Sequence, residues 1–326
     1  MTQKTRMYWL QAITPLHVGA GKGVGFIDMP IMREKVTNWP LVPGSAVKGV
    51  MRDHFEQKWP EPRSSDKQEL IDVAFGTAAV STESNAGSLV LTDAHIVCMP
   101  VRSLYGTFAY VTCPMVLERL KRDLAAVGFT GLPGTPAVTG NDAYNIGEDS
   151  KVVADGKMFF EDLDFTAKSD EITGEWAEIL AKNSFSDTTW QGIFKERFVI
   201  LPDDCFNFLS EMGTEVAAHI KIDDTRKIVS NQALWYEEAL PSETILAGIA
   251  WCDRIYTRKK ENGNGRITEE TILTTFCPCE GNGPQQQDKQ APDGKGLDLQ
   301  IGGKATVGKG RVVCRFTKAS SPPGRS

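Results

Sequence analysis

Apolar and polar positions change period several times along the chain, and each change marks an element. Thr5 to Ile13 is rich in β-formers and predicts a first strand that runs directly into a glycine loop. After Pro43 and Gly44 the period becomes helical. Val47, Val50, Met51 and His54 form one stripe of a helix that Ser45 is expected to cap. A second helix is predicted over Ser65–Phe75, stopped by Gly76, and a strand over Gly87–Val97 behind a polar loop at Ser81–Asn85. Leu117–Val127 again has helical spacing, and the proline-bearing stretch Gly128–Gly140 reads as loop.

From about Thr130 to Asp187 the chain is polar, with DGK turn chemistry at Asp155–Lys157 and no long periodic helix. Residues 130–187 therefore read as an insertion that carries a hairpin. Ordered patterns resume at Phe198–Leu209 and in the alternating Glu215–Ile222, and Asn231–Pro241 with Ser242–Trp251 reads as an antiparallel pair joined by a short bend. Ile267–Phe276 predicts a helix. Residues 280–296 are too polar and too rich in proline and glycine to pack, which predicts a mobile loop; Leu297–Phe316 closes as a hairpin and 318–326 is expected to be a disordered tail. No repeat at solenoid period is visible. The order β, α, β, α, then further strands and a helix, predicts an α+β fold: a single ferredoxin-like domain, 1–326, elaborated by insertions.

Net charge of −6 argues against a surface coated in cations for loose nucleic-acid binding, but leaves room for a local basic groove. Charge is segregated along the chain. After Asp298 there is no acidic residue, whereas Lys304, Lys309, Arg311, Arg315, Lys318 and Arg325 all follow. The seven cysteines are scattered, with only Cys277 and Cys279 close together, so neither a disulfide framework nor a paired zinc-ligand pattern is present. The N-terminal residues lack the long apolar run of a signal peptide or spanning helix, and a cytoplasmic protein is expected.

Candidate chemistry gathers between Leu16 and Asp53. Gly19, Gly21, Gly23 and Gly25 alternate through a loop in which backbone N–H groups can approach a ligand, and the loop delivers Asp28. The helix start at Ser45 is a candidate phosphate site, with Lys48 and Arg52 projecting beside it one turn apart. IGGKATVGKGR, Ile301–Arg311, falls short of the GxxxxGK[ST] pattern. Gly310 stands where a metal-binding hydroxyl is needed, and a strand-like RVVCRF follows instead of a helix. No nucleotide cofactor is expected. Glycines joined to Lys304, Lys309 and Arg311 still suit contact with a polynucleotide backbone. For catalysis the candidates are His17, Asp28 and the pair Glu237 and Glu238: a loop carboxylate beside RNA could ligate a divalent ion or assist removal of a 2′-hydroxyl proton.

LHVGAGKGVGFIDMP, PGSAVKGVMRD, GSLVLTDAHIVCMPVRSLYGTFAYVTCP, LWYEEALP and IGGKATVGKGR together resemble the RAMP superfamily of CRISPR effector proteins, and most closely the backbone subunits of type III-B, or Cmr, complexes. The resemblance covers most of the chain in the same order. It implies an RRM-like palm with a β-hairpin thumb drawn from an insertion, and several copies stacked along a guide CRISPR RNA with other Cmr subunits. It also implies cleavage of complementary target RNA at regular intervals by a metal-dependent endoribonuclease using magnesium or manganese. Carried onto this sequence, the family's catalytic aspartate falls on Asp28, which would also bind the metal. His17 falls near the site, and Lys48 and Arg52 fall on guide contacts, while Glu237 and Glu238 lie in a matching motif without an assigned role. Open alternatives are a scaffold that holds RNA without cutting it, the type III-A counterpart, and a precursor-processing ribonuclease with His17 as its base.

Overall fold

β1 (Thr5–Ala12) is buried on both faces, because neighbouring strands cover its edges and helices cover the sheet above and below. Its side chains alternate between two cores: Tyr8, Leu10 and Ala12 enter one, Met7 and Trp9 the other. This computed structural model describes residues 4–21, 23, 25–59, 64–77, 85–222, 229–256, 267–279 and 296–319. The predicted loop at 280–296 lies outside these residues except for Gly296, as do the polar loop before Asn85 and the tail from residue 320.

Four strands make the central motif. β1 lies between β12 (Ile245–Trp251) and β14 (Arg311–Thr317), and β12 in turn pairs with β4 (Ala94–Arg102), all antiparallel. In chain order these are strands one, three, four and two, so their spatial order is 4-1-3-2, the ferredoxin-like arrangement. The helices that belong to it, α1 (Gly44–Lys58) between its first two strands and α7 (Glu269–Phe276) between its last two, cover the same core. Phe276 of α7 meets Phe55 of α1 at 4.8 Å and Phe75 of α2 (Ser65–Phe75) at 4.9 Å, both edge-to-face. The expected α+β ferredoxin-like palm is present.

Everything between β4 and β12 is inserted into that motif. β5 (Phe108–Thr112), β9 (Phe198–Ile200), β6 (Asp142–Asn145), β8 (Leu163–Ser169) and β7 (Lys157–Phe160) extend the sheet in that order. A bridge between Ser103 and Phe160 returns β7 to the end of β4. The second core lies under α3 (Pro114–Val127), α4 (Glu171–Ser184) and α5 (Thr188–Arg197). The expected hairpin of 130–187 exists as β7 and β8, but it joins the large sheet. The hairpin that forms a sheet of its own is β10 (Glu215–Ile222) with β11 (Val229–Ala239).

Three local expectations are corrected. Residues 130–187 do contain a long helix, α4, capped by the Asp170 side chain on Thr173 N–H at 2.8 Å; its buried Thr173, Trp176, Ala177, Leu180 and Ala181 follow helical spacing through a polar stretch. Asn231–Pro241 does not pair with Ser242–Trp251. β11 turns to β10, and β12 instead enters the palm between β1 and β4. Ser45 is not the cap of α1. Pro43 holds the cap position, Ser45 is an exposed first-turn residue, and the first helical N–H, that of Gly44, donates to Asp93 Oδ1 at 2.8 Å. A carboxylate of the protein already occupies the helix start.

Candidate functional site

The end of β11 organises the site, because one loop is fastened to its main chain and a second loop packs on the first. Leu16 and Leu240 exchange N–H···O bonds of 2.8 and 2.9 Å. Farther along the same loop Met29 N–H donates to Tyr236 O at 3.0 Å and Glu238 N–H donates to Met29 O at 3.0 Å. The glycine loop Ile301–Gly310 then packs on the first: Gly303 N–H donates to His17 O at 2.9 Å and Gly310 N–H to Pro15 O at 2.9 Å. Gly302 explains the close approach. It has φ +81°, and a Cβ there would fall 2.2 Å from His17 O, so only glycine fits.

Glu237 and Glu238 occupy adjacent strand positions and therefore leave β11 on opposite faces. Glu237 is 1% exposed and accepts from Lys309 Nζ at 2.8 Å and Lys304 Nζ at 3.2 Å, with His219 Nε2 3.8 Å away. Burial opposes its charge, yet the two ammonium groups prevail and hold its carboxyl below the ordinary glutamate value. Glu238, also buried, accepts from Arg33 at 2.6 Å and from Ile31 N–H at 3.0 Å, and Arg33 goes on to the carbonyls of Asn38 and Ser210. One glutamate thus fixes the glycine loop and the other fixes the segment that follows Asp28.

Asp28 is the exposed member of this assembly. Its Oδ2 accepts from Tyr236 N–H at 2.8 Å, and Oδ1 has no protein partner among the described residues. Gly23 lies against the same backbone, where a Cβ would come within 2.9 Å of Ile27 O. His17 is brought to the same strand, with Nδ1 2.6 Å from Glu238 O. Only Nδ1–H can make that bond, so Nε2 is left as the acceptor of the neutral ring. The main-chain anchors of Asp28 and His17 are two residues apart, roughly 7 Å along a strand. His17 itself is 7% exposed, so it serves as a packed junction between the two loops.

The other sequence candidates stand elsewhere or are engaged internally. Lys48 Nζ donates to Leu89 O at 2.6 Å, and burial lowers its pKa. Arg52 bonds Glu56 at 2.8 Å and Gly76 O at 3.0 Å. Lys304 and Lys309 are held by Glu237, whereas Arg311 is 63% exposed and only loosely paired with Asp298 at 3.6 Å. The sequence reading does not identify the Arg33–Glu238 clamp. The alternation within LWYEEALP sends its two acids to opposite faces, but their partners are far away in sequence.

Residues 9–313 match the RAMP superfamily. The chain belongs to this family. The RAMP chain is 33% identical over 323 residues to the CRISPR system Cmr endoribonuclease Cmr4 of Pyrococcus furiosus, covering 98% of both proteins. It is 24% identical over 330 residues to the CRISPR system CMR subunit Cmr4 of Saccharolobus solfataricus, covering 95% of both. Among solved structures, it superposes on oligomeric Cmr4 from P. furiosus with TM-score 0.69 and 27% identity over 98% of this chain and 99% of that one. A chain of the type III-B Cmr-beta complex bound to cognate target RNA shares the fold at TM-score 0.65 and 18% identity, with 96% of each chain covered.

Proposed function

We propose that this RAMP protein is a backbone subunit of a type III-B effector complex. Copies of it, with other Cmr subunits, hold a guide CRISPR RNA and cut the complementary target RNA at regular intervals. The observation that carries this reading is the exposed Asp28 carboxylate, pinned by Tyr236 N–H on a loop fastened at several points to β11. Sequence would be read by base pairing, so the protein has only to hold backbone and shape. Arg311 is the most open of the candidate cations; Lys48 and Arg52 each retain N–H donors beyond their internal bonds. Among the described residues no helix is long and apolar enough to cross a membrane.

Cleavage needs a 2′-hydroxyl to lose its proton and its oxygen to attack the adjacent phosphorus, while the 5′-oxygen departs and takes a proton from water. Asp28 accepts the 2′-hydroxyl proton. The Tyr236 N–H fixes one carboxylate oxygen and leaves the other to face the RNA. His17 and Glu238 hold the loop in register without touching the reacting atoms.

Among the described residues no three His, Cys, Asp or Glu side chains converge on one point. Magnesium or manganese would accordingly be held by the Asp28 carboxylate with RNA phosphate oxygens and water, a ligand set that magnesium commonly takes. Such an ion would neutralise charge that develops on the phosphate.

The test is cleavage of guide-complementary RNA by the reconstituted complex. Asp28→Asn should bind target normally and lose roughly 10²–10⁴-fold in cutting rate, the usual worth of a positioned base. Chelator should abolish regularly spaced products that magnesium or manganese restores. Equal cutting by the variant would leave this chain a scaffold that holds the guide, with the chemistry elsewhere.

A further inference from the structure

Phe26 is 74% exposed, more than any other Phe, Tyr or Trp among the described residues, on a loop that is otherwise tied down. Its ring stands edge-on to Tyr236, with centroids 6.5 Å apart and planes at 82°. Tyr236 is also the residue whose N–H holds the Asp28 carboxylate. The same strand residue therefore sets both the carboxylate and an open aromatic face two positions before it.

We infer that Phe26 is a stacking platform for an unpaired base of the target RNA beside the bond that is cut, a role that rests on the cleavage reading above. A regular A-form duplex holds each 2′-oxygen out of line with the departing 5′-oxygen. The nucleotide at the cut must leave its stack before attack is possible, and an aromatic face offers the displaced base a replacement stack. A protein partner fits the place less well. A surface that covered Phe26 would also cover Asp28, and burying that carboxylate without a cation is costly, whereas a stacked base leaves it open. Met29, one residue beyond Asp28, is 37% exposed and is a second open apolar side chain on the same loop.

The experiment uses the reconstituted complex under single-turnover conditions, with target RNA that is intact or carries an abasic nucleotide on either side of the cut. Phe26→Ala should cut intact RNA roughly tenfold more slowly, within the range for loss of one base–aromatic stack, and Phe26→Trp should cut at the wild-type rate. One abasic position should slow the wild-type complex by a similar factor and slow Phe26→Ala no further. Wild-type cutting by Phe26→Ala, or equal abasic penalties in both complexes, overturns the inference. So does a Phe26→Ala complex that loses copies of this subunit by native mass spectrometry, which would make Phe26 a contact between copies. Asp28→Asn is run alongside. If it cuts normally, the cleavage reading fails; if it is inactive while Phe26→Ala is unaffected, only the platform fails.

Discussion

Replacing Glu237 by glutamine removes the charge that holds Lys304 and Lys309 against β11 while keeping the shape of the side chain. Glu237 is 1% exposed and Lys309 15%, so the pair is deeply placed, whereas Lys304 keeps 33% of its side chain in water. Breaking a buried pair from one side costs about 3–5 kcal/mol, and solvent screening of Lys304 puts the expectation near the lower end, about 3 kcal/mol. With roughly 2.1 cal/mol/K of unfolding entropy per residue over 326 residues, that loss lowers the melting temperature by about 4 °C. Removing both charges in Glu237→Gln/Lys309→Met should recover much of the loss, because no ammonium is left buried opposite an amide. The pH dependence has a definite sign. Folding holds the Glu237 carboxyl below its ordinary value, so its contribution is complete above about pH 4.5 and fades as acid titrates through the lower folded value. Thermal unfolding at pH 7 and in acid reads both effects. An unchanged melting temperature for Glu237→Gln at pH 7, or a double variant that loses the sum of the single losses, would refute the assignment of this pair as a structural tie.

Three further outcomes follow from other charged contacts of the chain. Arg119 grips Glu34 through two 2.8 Å bonds and holds its carboxyl down to about 2, with burial opposing. That fork contributes about 2 kcal/mol once solvent screening is allowed for, fully present above about pH 4.5 and lost as pH falls through about 2. Arg119→Gln should therefore lower the urea midpoint at pH 7 and converge on the wild type near pH 2. Arg311→Gln should weaken guide binding and reduce the slope of log affinity against log salt by about one, because an exposed cation on phosphate releases about one counterion. Lys309→Gln should act mainly on stability.

The palm was legible because its signals are local. The strand at Thr5, the α1 stripe and the closing strands all declare their faces through period alone. Pairing partners do not. A strand's alternation says which side is buried but not which neighbour supplies its hydrogen bonds, and the pattern of Asn231–Pro241 suits Ser242–Trp251, next in sequence, as well as it suits β10, its partner. The partners of the cations are hidden for a related reason. Lys309 lies 72 positions from Glu237, and nothing in GGKATVGKG indicates that a buried acid waits for it. Ser45 is a good capping residue, but the proline and glycine before it start the helix two residues earlier, and Asp93 meets the first N–H.

The site itself follows from how one strand distributes its contacts. Glu237 and Glu238 point to opposite faces and secure opposite loops with side-chain charge, while the backbone at 236 and 238 secures Asp28 and His17. Because Asp28 is held by a main-chain N–H, its position depends on the path of β11 and not on the identity of residue 236. The same strand is one arm of the β10–β11 hairpin, which forms its own sheet apart from the palm. Any displacement of the hairpin base would carry Tyr236 N–H, and with it the Asp28 carboxylate, relative to the palm. The ties to Lys304, Lys309 and Arg33 resist that displacement from both faces. The Asp28 carboxylate can therefore remain exposed to solvent while the strand that sets its geometry stays fixed.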